Sequence, residues 1–238
     1  MKSKKSKKSI LIIGLGKFGR YLALKMQELG NQVMVVDKEE AESQKLATKI
    51  DDIFIGDCTN EEVLKSLGIT DFDICFVTIG ENFEASITIT MLLKKLGARY
   101  TVVKTGSDLQ SDLLKKIGAD EIIYPEKELA EKLSLKYHTG YSMKSYLELN
   151  QDYSIIEMDV PKHWIGNSLT ELNLRRKLGL NIIAIKNSGS VNVVPEPEEH
   201  FRENDVIVVV GRQSTIIEYI QELSLIHISE PTRLGMIS

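Results

Sequence analysis

Cysteine is scarce: the 238 residues hold two, Cys58 and Cys75, with no CxxC spacing. That count rules out a disulfide-dense scaffold and suits a reducing cytoplasm. Cys75 sits in the apolar run 74–77 and reads as a small buried hydrophobe. The four histidines, His138, His163, His200 and His227, are isolated and show no HxxxH or Cys/His pattern, which argues against a zinc site. Long apolar runs are missing too. The longest, Ile10–Ile13 and Val206–Val210, fall far short of the ~20 residues that a membrane-spanning helix needs. A secretory leader is not seen: Met1–Ser9 carries five lysines and no apolar centre, and reads as a disordered basic tail. Its other reading is contact with anionic lipid or an acidic partner. Without those lysines the formal charge falls from −4 to −9, and an acidic body argues against nucleic acid as a partner.

What is present begins with Gly14-Leu15-Gly16-Lys17-Phe18-Gly19, directly after the apolar run Ile10–Ile13 and directly before a helical stretch. A lone GxGxxG is weak. Here a strand precedes it, a helix follows, and Asp37 ends the next strand, Val33–Val36. This is the pattern of a dinucleotide-type βαβ unit: glycines let the backbone approach a phosphate, the helix N-terminus offers free N–H groups, and the acid accepts ribose hydroxyls. Asp37 would repel a 2′-phosphate, which favours NAD, ATP or ADP over NADP.

A small signature then recurs. Helical stretches close on Leu29-Gly30, Leu67-Gly68, Leu96-Gly97 and Ile117-Gly118, each followed by a β-type run. With 52–55 added, six strands alternate with helices, which predicts a doubly wound parallel α/β sheet of the Rossmann-like kind. Pro125 ends the last strand, and a helix near Glu126–Tyr137 leads away. Residues 137–152 read as a polar connector. After it the pattern predicts a smaller α+β domain: a strand at Tyr153–Asp159, a helix at Leu169–Leu178 capped by Ser168, and a hairpin of Asn181–Lys186 with Val191–Val194 across Asn187-Ser188-Gly189. A strand at Val206–Val210 follows, turned by Gly211 into a final helix, Ser214–Leu223. The expected division is 1–9 tail, 10–136 nucleotide-binding domain, 137–152 connector, 153–223 second domain and 224–238 tail. That last stretch, including Leu225-Ile226-His227-Ile228-Ser229-Glu230-Pro231-Thr232-Arg233, resembles a translated transposase sequencing adapter, and it is set aside from fold reasoning.

Several residues fall at the C-terminal edge of the parallel sheet, where ligands bind in this architecture. Asp57 and Cys58 follow the third strand and face an adenine edge, or Asp57 and Thr59 cap the next helix. Ile79 and Gly80 follow the fourth strand; Asn82 either lines the site or caps a helix. Lys104 ends the fifth strand and suits a phosphate. Glu126 follows the sixth, where an acid beside a polyphosphate makes sense with a bridging cation. A dehydrogenase needs an acid/base pair from its second domain. His163 and His200 have no companion pattern, so the motifs point to nucleotide binding without chemistry.

These motifs, with 122–127 (Ile-Ile-Tyr-Pro-Glu-Lys), Leu172-Asn173-Leu174-Arg175 and 179–186, make the chain similar to the KtrA-like cytosolic regulatory subunits of Ktr/Trk potassium uptake systems from about Ser9 to Glu222. The resemblance implies an RCK N-terminal lobe joined to a TrkA-C-type lobe. It implies an octameric ring in the cytoplasm, attached peripherally to the inner membrane face through a KtrB/TrkH-like potassium channel subunit. ATP or ADP in the first lobe would change ring shape and gate the pore. The matching contact positions are Lys17, Asp37, Asp57, Cys58, Ile79, Gly80, Lys104 and Glu126, beside Gly14, Gly16, Phe18 and Gly19 of the loop. Glu126 matches the acid tied to a bridging Mg2+, Ca2+ or Na+. Lys17 stands where the family often has an arginine that reaches a neighbouring subunit's γ-phosphate. Lysine keeps the charge and loses the planar fork. The second lobe of the family can bind cyclic di-AMP at positions matching Arg175, Asn181, Ile182 and Pro197. The same motifs leave a short NAD-dependent oxidoreductase and a standalone nucleotide sensor as alternatives.

Overall fold

The computed structural model describes residues 7–44, 46–50, 52–80, 82–138, 143–187 and 189–219. The basic tail up to residue 6, Glu81, Gly140, Ser188, the end of the expected final helix and the adapter-like stretch lie outside the described residues. The chain divides into two compact units, 1–128 and 129–238.

In the first unit, strands β1 (Ser9–Ile13), β2 (Gln32–Asp37), β3 (Asp52–Ile55), β4 (Ile74–Val77), β5 (Thr101–Lys104) and β6 (Glu121–Ile123) form one sheet in the order 3-2-1-4-5-6. Every pairing is parallel. Between them run α1 (Lys17–Glu28), α2 (Glu40–Gln44), α3 (Glu61–Ser66), α4 (Phe83–Lys95) and α5 (Asp108–Lys116), and α6 (Pro125–His138) follows β6. β1 is central and buried on both faces, which explains its unbroken apolar run. Leu11 and Ile13 join one core with Cys75, Val77, Leu93 and Val103; Ile10 and Ile12 join another with Ala23, Val35 and Phe76. Each of the Leu, Ile, Val and Phe side chains among them contributes about 1.5–3 kcal/mol by leaving water. The glycines of the recurring signature do close the helices: Gly30, Gly68, Gly97 and Gly118 have φ of +87°, +69°, +84° and +105°, a region that costs other residues dearly. Ser9, expected in the tail, is the first residue of β1; its N–H donates to Asp73 Oδ2 at 2.9 Å.

In the second unit, strands β7 (Met143–Glu148), β8 (Tyr153–Asp159), β9 (Asn181–Asn187), β10 (Ser190–Asn192) and β11 (Val206–Arg212) form an antiparallel sheet in the order 10-9-11-8-7. Ile156, Met158, Ile207 and Val209 alternate onto one face and pack with Trp164, Leu174 and Phe201. Four expectations are corrected. The connector 137–152 contains β7, an edge strand paired with β8. Its residues after Met143 are exposed or half-buried, so no apolar alternation marks it. The helix expected over 169–178 is two short turns, α7 (Leu169–Leu172) and α8 (Leu174–Lys177), broken at Asn173 with φ +48°. The second hairpin strand stops at Asn192, leaving Val193 and Val194 exposed. Gly211 does not turn the chain; it lies inside β11, paired with Ser154, and a Cβ there would stand 2.6 Å from Leu180 Cδ2. Helix begins two residues later, at 213.

Candidate functional site

Strand order reverses direction between β1 and β4, and the carboxyl ends of the strands open there into a cleft of about 1010 Å³. The glycine loop forms one wall. Gly14 has φ +98°, and a Cβ on it would press on Ile79 Cγ1 at 2.9 Å. Gly19 packs its Cα against the Gly14 carbonyl and Thr78 Oγ1, so any Cβ would collide with both. Thr78 is buried and donates its hydroxyl to Gly14 O at 2.6 Å, fixing the loop from β4. Gly16 differs: its φ of −58° suits any residue, and nothing lies within 4 Å of a Cβ built there. The missing side chain at Gly16 leaves room in the cleft, not within the fold.

Helix α1 starts at that point. Its first internal bond runs from Arg20 N–H to Gly16 C=O at 3.1 Å, so the amides before it face outward. No acid occupies its first turn, unlike α3, α5 and α6, and Lys17 stands there exposed. The result is a positive helix end suited to an anion.

Asp37 ends β2 facing the loop. Its Oδ2 accepts the Leu15 N–H at 2.5 Å and its Oδ1 the Glu39 N–H at 2.9 Å. Asp57, exposed after β3, closes an Asx turn: Oδ1 accepts from the Thr59 amide at 2.9 Å and its hydroxyl at 2.7 Å. These bonds hold the Asp57 carboxyl below its usual range. The cap of α3 is Asn60, so Asp57 is free of the capping role. Asn82 does cap α4, accepting the Ala85 N–H. Cys58 is buried beneath the cleft, and desolvation, aided by the charges of Asp57 and Asp37, pushes its thiol up to about 12. It is a wall, not a nucleophile.

Lys104 reaches in from β5 beside Gly80, and its Nζ pairs with Glu126 Oε1 at 2.8 Å. That bond is the main cause of a Glu126 carboxyl held below 4.5. A depressed carboxylate stabilises the fold above its ordinary value and loses that contribution as pH falls through the folded value. Lys104→Met is therefore expected to raise the Glu126 titration toward the ordinary carboxylate range, measured by carbon NMR of its side-chain carboxyl. An unchanged titration would show that the pair is not formed in solution. Among the described residues no group of three or more His, Cys, Asp or Glu could hold a metal.

The cleft thus gathers the sequence-predicted residues Gly14, Gly16, Lys17, Phe18, Asp37, Asp57, Cys58, Ile79, Gly80, Lys104 and Glu126, with Gly19 behind the loop. It also holds Arg20, Lys38 and Glu42, which sequence reasoning missed. Arg20 follows the third glycine and was open to notice as a cation one turn beyond Lys17. Glu42 is brought in only by the placing of α2.

In the second unit, Arg175 on α8 and Asn181 at the start of β9 are exposed, while Ile182 packs on the core. The Pro197 carbonyl accepts the Thr170 amide at 3.0 Å and its hydroxyl at 2.9 Å.

Residues 10–125 match the TrkA-N domain family and residues 154–224 the TrkA-C domain family. Ktr system potassium uptake protein C of Bacillus subtilis (strain 168) is 37% identical over 90% of this chain and 96% of its own length. Ktr system potassium uptake protein A of the same organism is 34% identical over the same shares. The chain belongs to the Ktr potassium uptake family. Within that family it is a KtrA-like regulatory subunit, as the motifs suggested. Among solved structures, the GsuK channel aligns over 92% of this chain with a TM-score of 0.65 at 19% identity, and a GsuK channel bound to NAD with 0.61. This chain spans 40% of the length of each, and the likeness shows the RCK fold. No described helix is long and apolar enough to cross a membrane.

Proposed function

We propose that this Ktr subunit binds an adenine nucleotide in the first-unit cleft and uses it to gate a membrane potassium channel subunit. The observation that carries the reading is the open side of Gly16, where a side chain is absent for no reason internal to the fold. ATP and ADP are the favoured ligands. NAD, carried by a GsuK channel of the same fold, is the next. Asp37 takes the ribose hydroxyls, and Lys104 and the α1 amides take phosphate. Glu126 exchanges Lys104 for a cation that phosphate oxygens also bind. Lys17, exposed at the helix start, reaches the γ-phosphate held by a neighbouring subunit.

The assembly proposed is an octameric ring in the cytoplasm, docked on a KtrB/TrkH-like subunit at the inner membrane face. Gating requires the two nucleotides to prefer different ring shapes, because equal affinity for both shapes shifts nothing. Among the described residues no acid/base constellation accompanies the cleft, and the reading is of binding without turnover of NAD. The test is titration of the purified chain with fluorescent ATP, ADP and NAD, followed by potassium flux into vesicles carrying the membrane subunit. Binding of ATP and ADP with unequal flux is expected. Absence of binding at millimolar nucleotide would end the reading, and steady NAD reduction would replace it with the oxidoreductase.

The TrkA-C match and the exposure of Arg175 and Asn181 support a second ligand, cyclic di-AMP, on the second unit. Arg175→Ala is expected to abolish cyclic di-AMP binding in calorimetry while ATP binding stays. Equal loss of both would mark general damage instead.

A further inference from the structure

Arg20 sits one turn into α1, and its side chain runs back toward the helix start, as helical side chains do. Its Nη1 donates to the Leu15 carbonyl at 2.9 Å and is ion-paired with Glu42 of α2. The guanidinium therefore touches the glycine loop on one side and a separate helix on the other. Both side chains are half-buried, at 25% and 29% exposure, so this pair is less screened than an exposed pair such as Lys25–Glu28.

The carbonyl that Arg20 holds belongs to the peptide joining Leu15 to Gly16. A trans peptide is planar, with its C=O and the following N–H pointing opposite ways. Fixing the Leu15 carbonyl therefore fixes the direction of the Gly16 N–H. The preceding peptide is fixed as well, because the Leu15 N–H is held by Asp37. Leu15 itself is fully buried and cannot swing. The first amide that meets a phosphate is thus aimed by a chain of contacts running from Glu42 through Arg20 to the loop.

We propose that Arg20 is a positioning residue for the phosphate cradle, acting through the Leu15–Gly16 peptide, with Glu42 as its anchor. The inference rests on the reading of the cleft as a nucleotide site. It predicts a loss that depends on phosphate, not on adenosine. It also predicts that Glu42 helps binding although its charge repels phosphate. Were Arg20 itself a phosphate ligand held back by Glu42, removing Glu42 would free it and tighten binding.

The test is calorimetric titration of the full chain with adenosine, ADP and ATP for the wild type, Arg20→Ala, Arg20→Lys, Glu42→Gln and the double variant Arg20→Ala/Glu42→Gln. Arg20→Ala is expected to weaken ADP and ATP roughly tenfold, the scale of one charge-assisted bond, and adenosine less than twofold. Glu42→Gln is expected to weaken ADP in the same direction by less. The double variant should match Arg20→Ala, since the inference has Glu42 act on the cradle through Arg20. Arg20→Lys, which can still donate to the Leu15 carbonyl, should recover part of the loss. Equal weakening of adenosine and ADP, additive losses in the double variant, or tighter ADP binding by Glu42→Gln would each overturn the inference. So would Arg20→Ala that binds ADP like the wild type. A wild type that binds neither ADP nor ATP would instead overturn the nucleotide reading of the cleft, and the inference with it.

Discussion

Gly19→Ala is expected to destabilise the first unit severely, whereas Gly16→Ala leaves the fold intact and cripples nucleotide binding. A methyl at Gly19 runs into the Gly14 carbonyl and stands 2.6 Å from Thr78 Oγ1. It would have to push the loop away from β4 and break the Thr78 hydroxyl's bond to Gly14 O. Overpacking together with a buried polar group left unpaired costs about 3–5 kcal/mol, or a melting temperature lower by roughly 10 °C or more. At Gly16 the backbone angles suit alanine and the space is open, so stability changes by about 1 kcal/mol or less, the scale of a changed helix cap. The same methyl fills the approach to the α1 amides. Two charge-assisted bonds lost or stretched, at about 1.5–3 kcal/mol each, give roughly 100-fold weaker binding or more. The single tryptophan, Trp164, lies in the core of the second unit. Far-ultraviolet circular dichroism should therefore report the Gly19→Ala loss while tryptophan emission stays native. A Gly19→Ala melt like that of the wild type, or Gly16→Ala with wild-type affinity, would show that the loop is not packed as described.

That contrast between two glycines of one motif marks how far local sequence could be read. The loop, the strand before it and Asp37 are set by contiguous residues. So are the helix-closing glycines, because a positive φ after a helix is a local demand that glycine meets. The parallel pairing of the six strands follows from the alternation of strand and helix, whereas their order, 3-2-1-4-5-6, is seen only in the structure. What could not be read depends on partners distant in the chain. The Arg20–Glu42 pair joins residues 22 positions apart; Arg20 stands beside the glycine motif, but nothing local marks Glu42 or its pairing with Arg20. Gly211 looks like a turn residue in the sequence, yet its missing side chain answers to Leu180 across the fold. Strand β7 has an exposed edge position, so its residues carry no burial pattern to betray it. Asn173 breaks a stretch with helical periodicity by adopting a left-handed conformation that asparagine tolerates.

Asp37→Ala is expected to give the largest loss of nucleotide affinity of any single side chain in the cleft, and Asp37→Asn separates its two duties. One duty is internal. Asp37 Oδ2 accepts the Leu15 N–H at 2.5 Å, and Leu15 is fully buried. Alanine leaves that amide without its acceptor, at a cost of about 1–3 kcal/mol in stability. Asparagine retains one carbonyl for it and loses only the acceptor of the exposed Glu39 N–H, so its melting temperature should fall by less than that of Asp37→Ala. The other duty, on the proposed reading of the cleft, is toward ligand: a carboxylate at the end of β2 would accept both ribose hydroxyls, and neither replacement offers two charged acceptors. Binding of ATP and ADP should weaken roughly 100-fold in Asp37→Ala and roughly tenfold in Asp37→Asn. Charge gives a third readout. Lys38 and Arg20 line the same end of the cleft, so removing one negative charge there should raise the affinity for NADP relative to NAD. Competition titrations with NAD and NADP on the wild type and Asp37→Asn measure that ratio. A ratio unmoved by Asp37→Asn, with ATP affinity also unmoved, would place the ribose elsewhere and leave Asp37 as a strut of the loop alone.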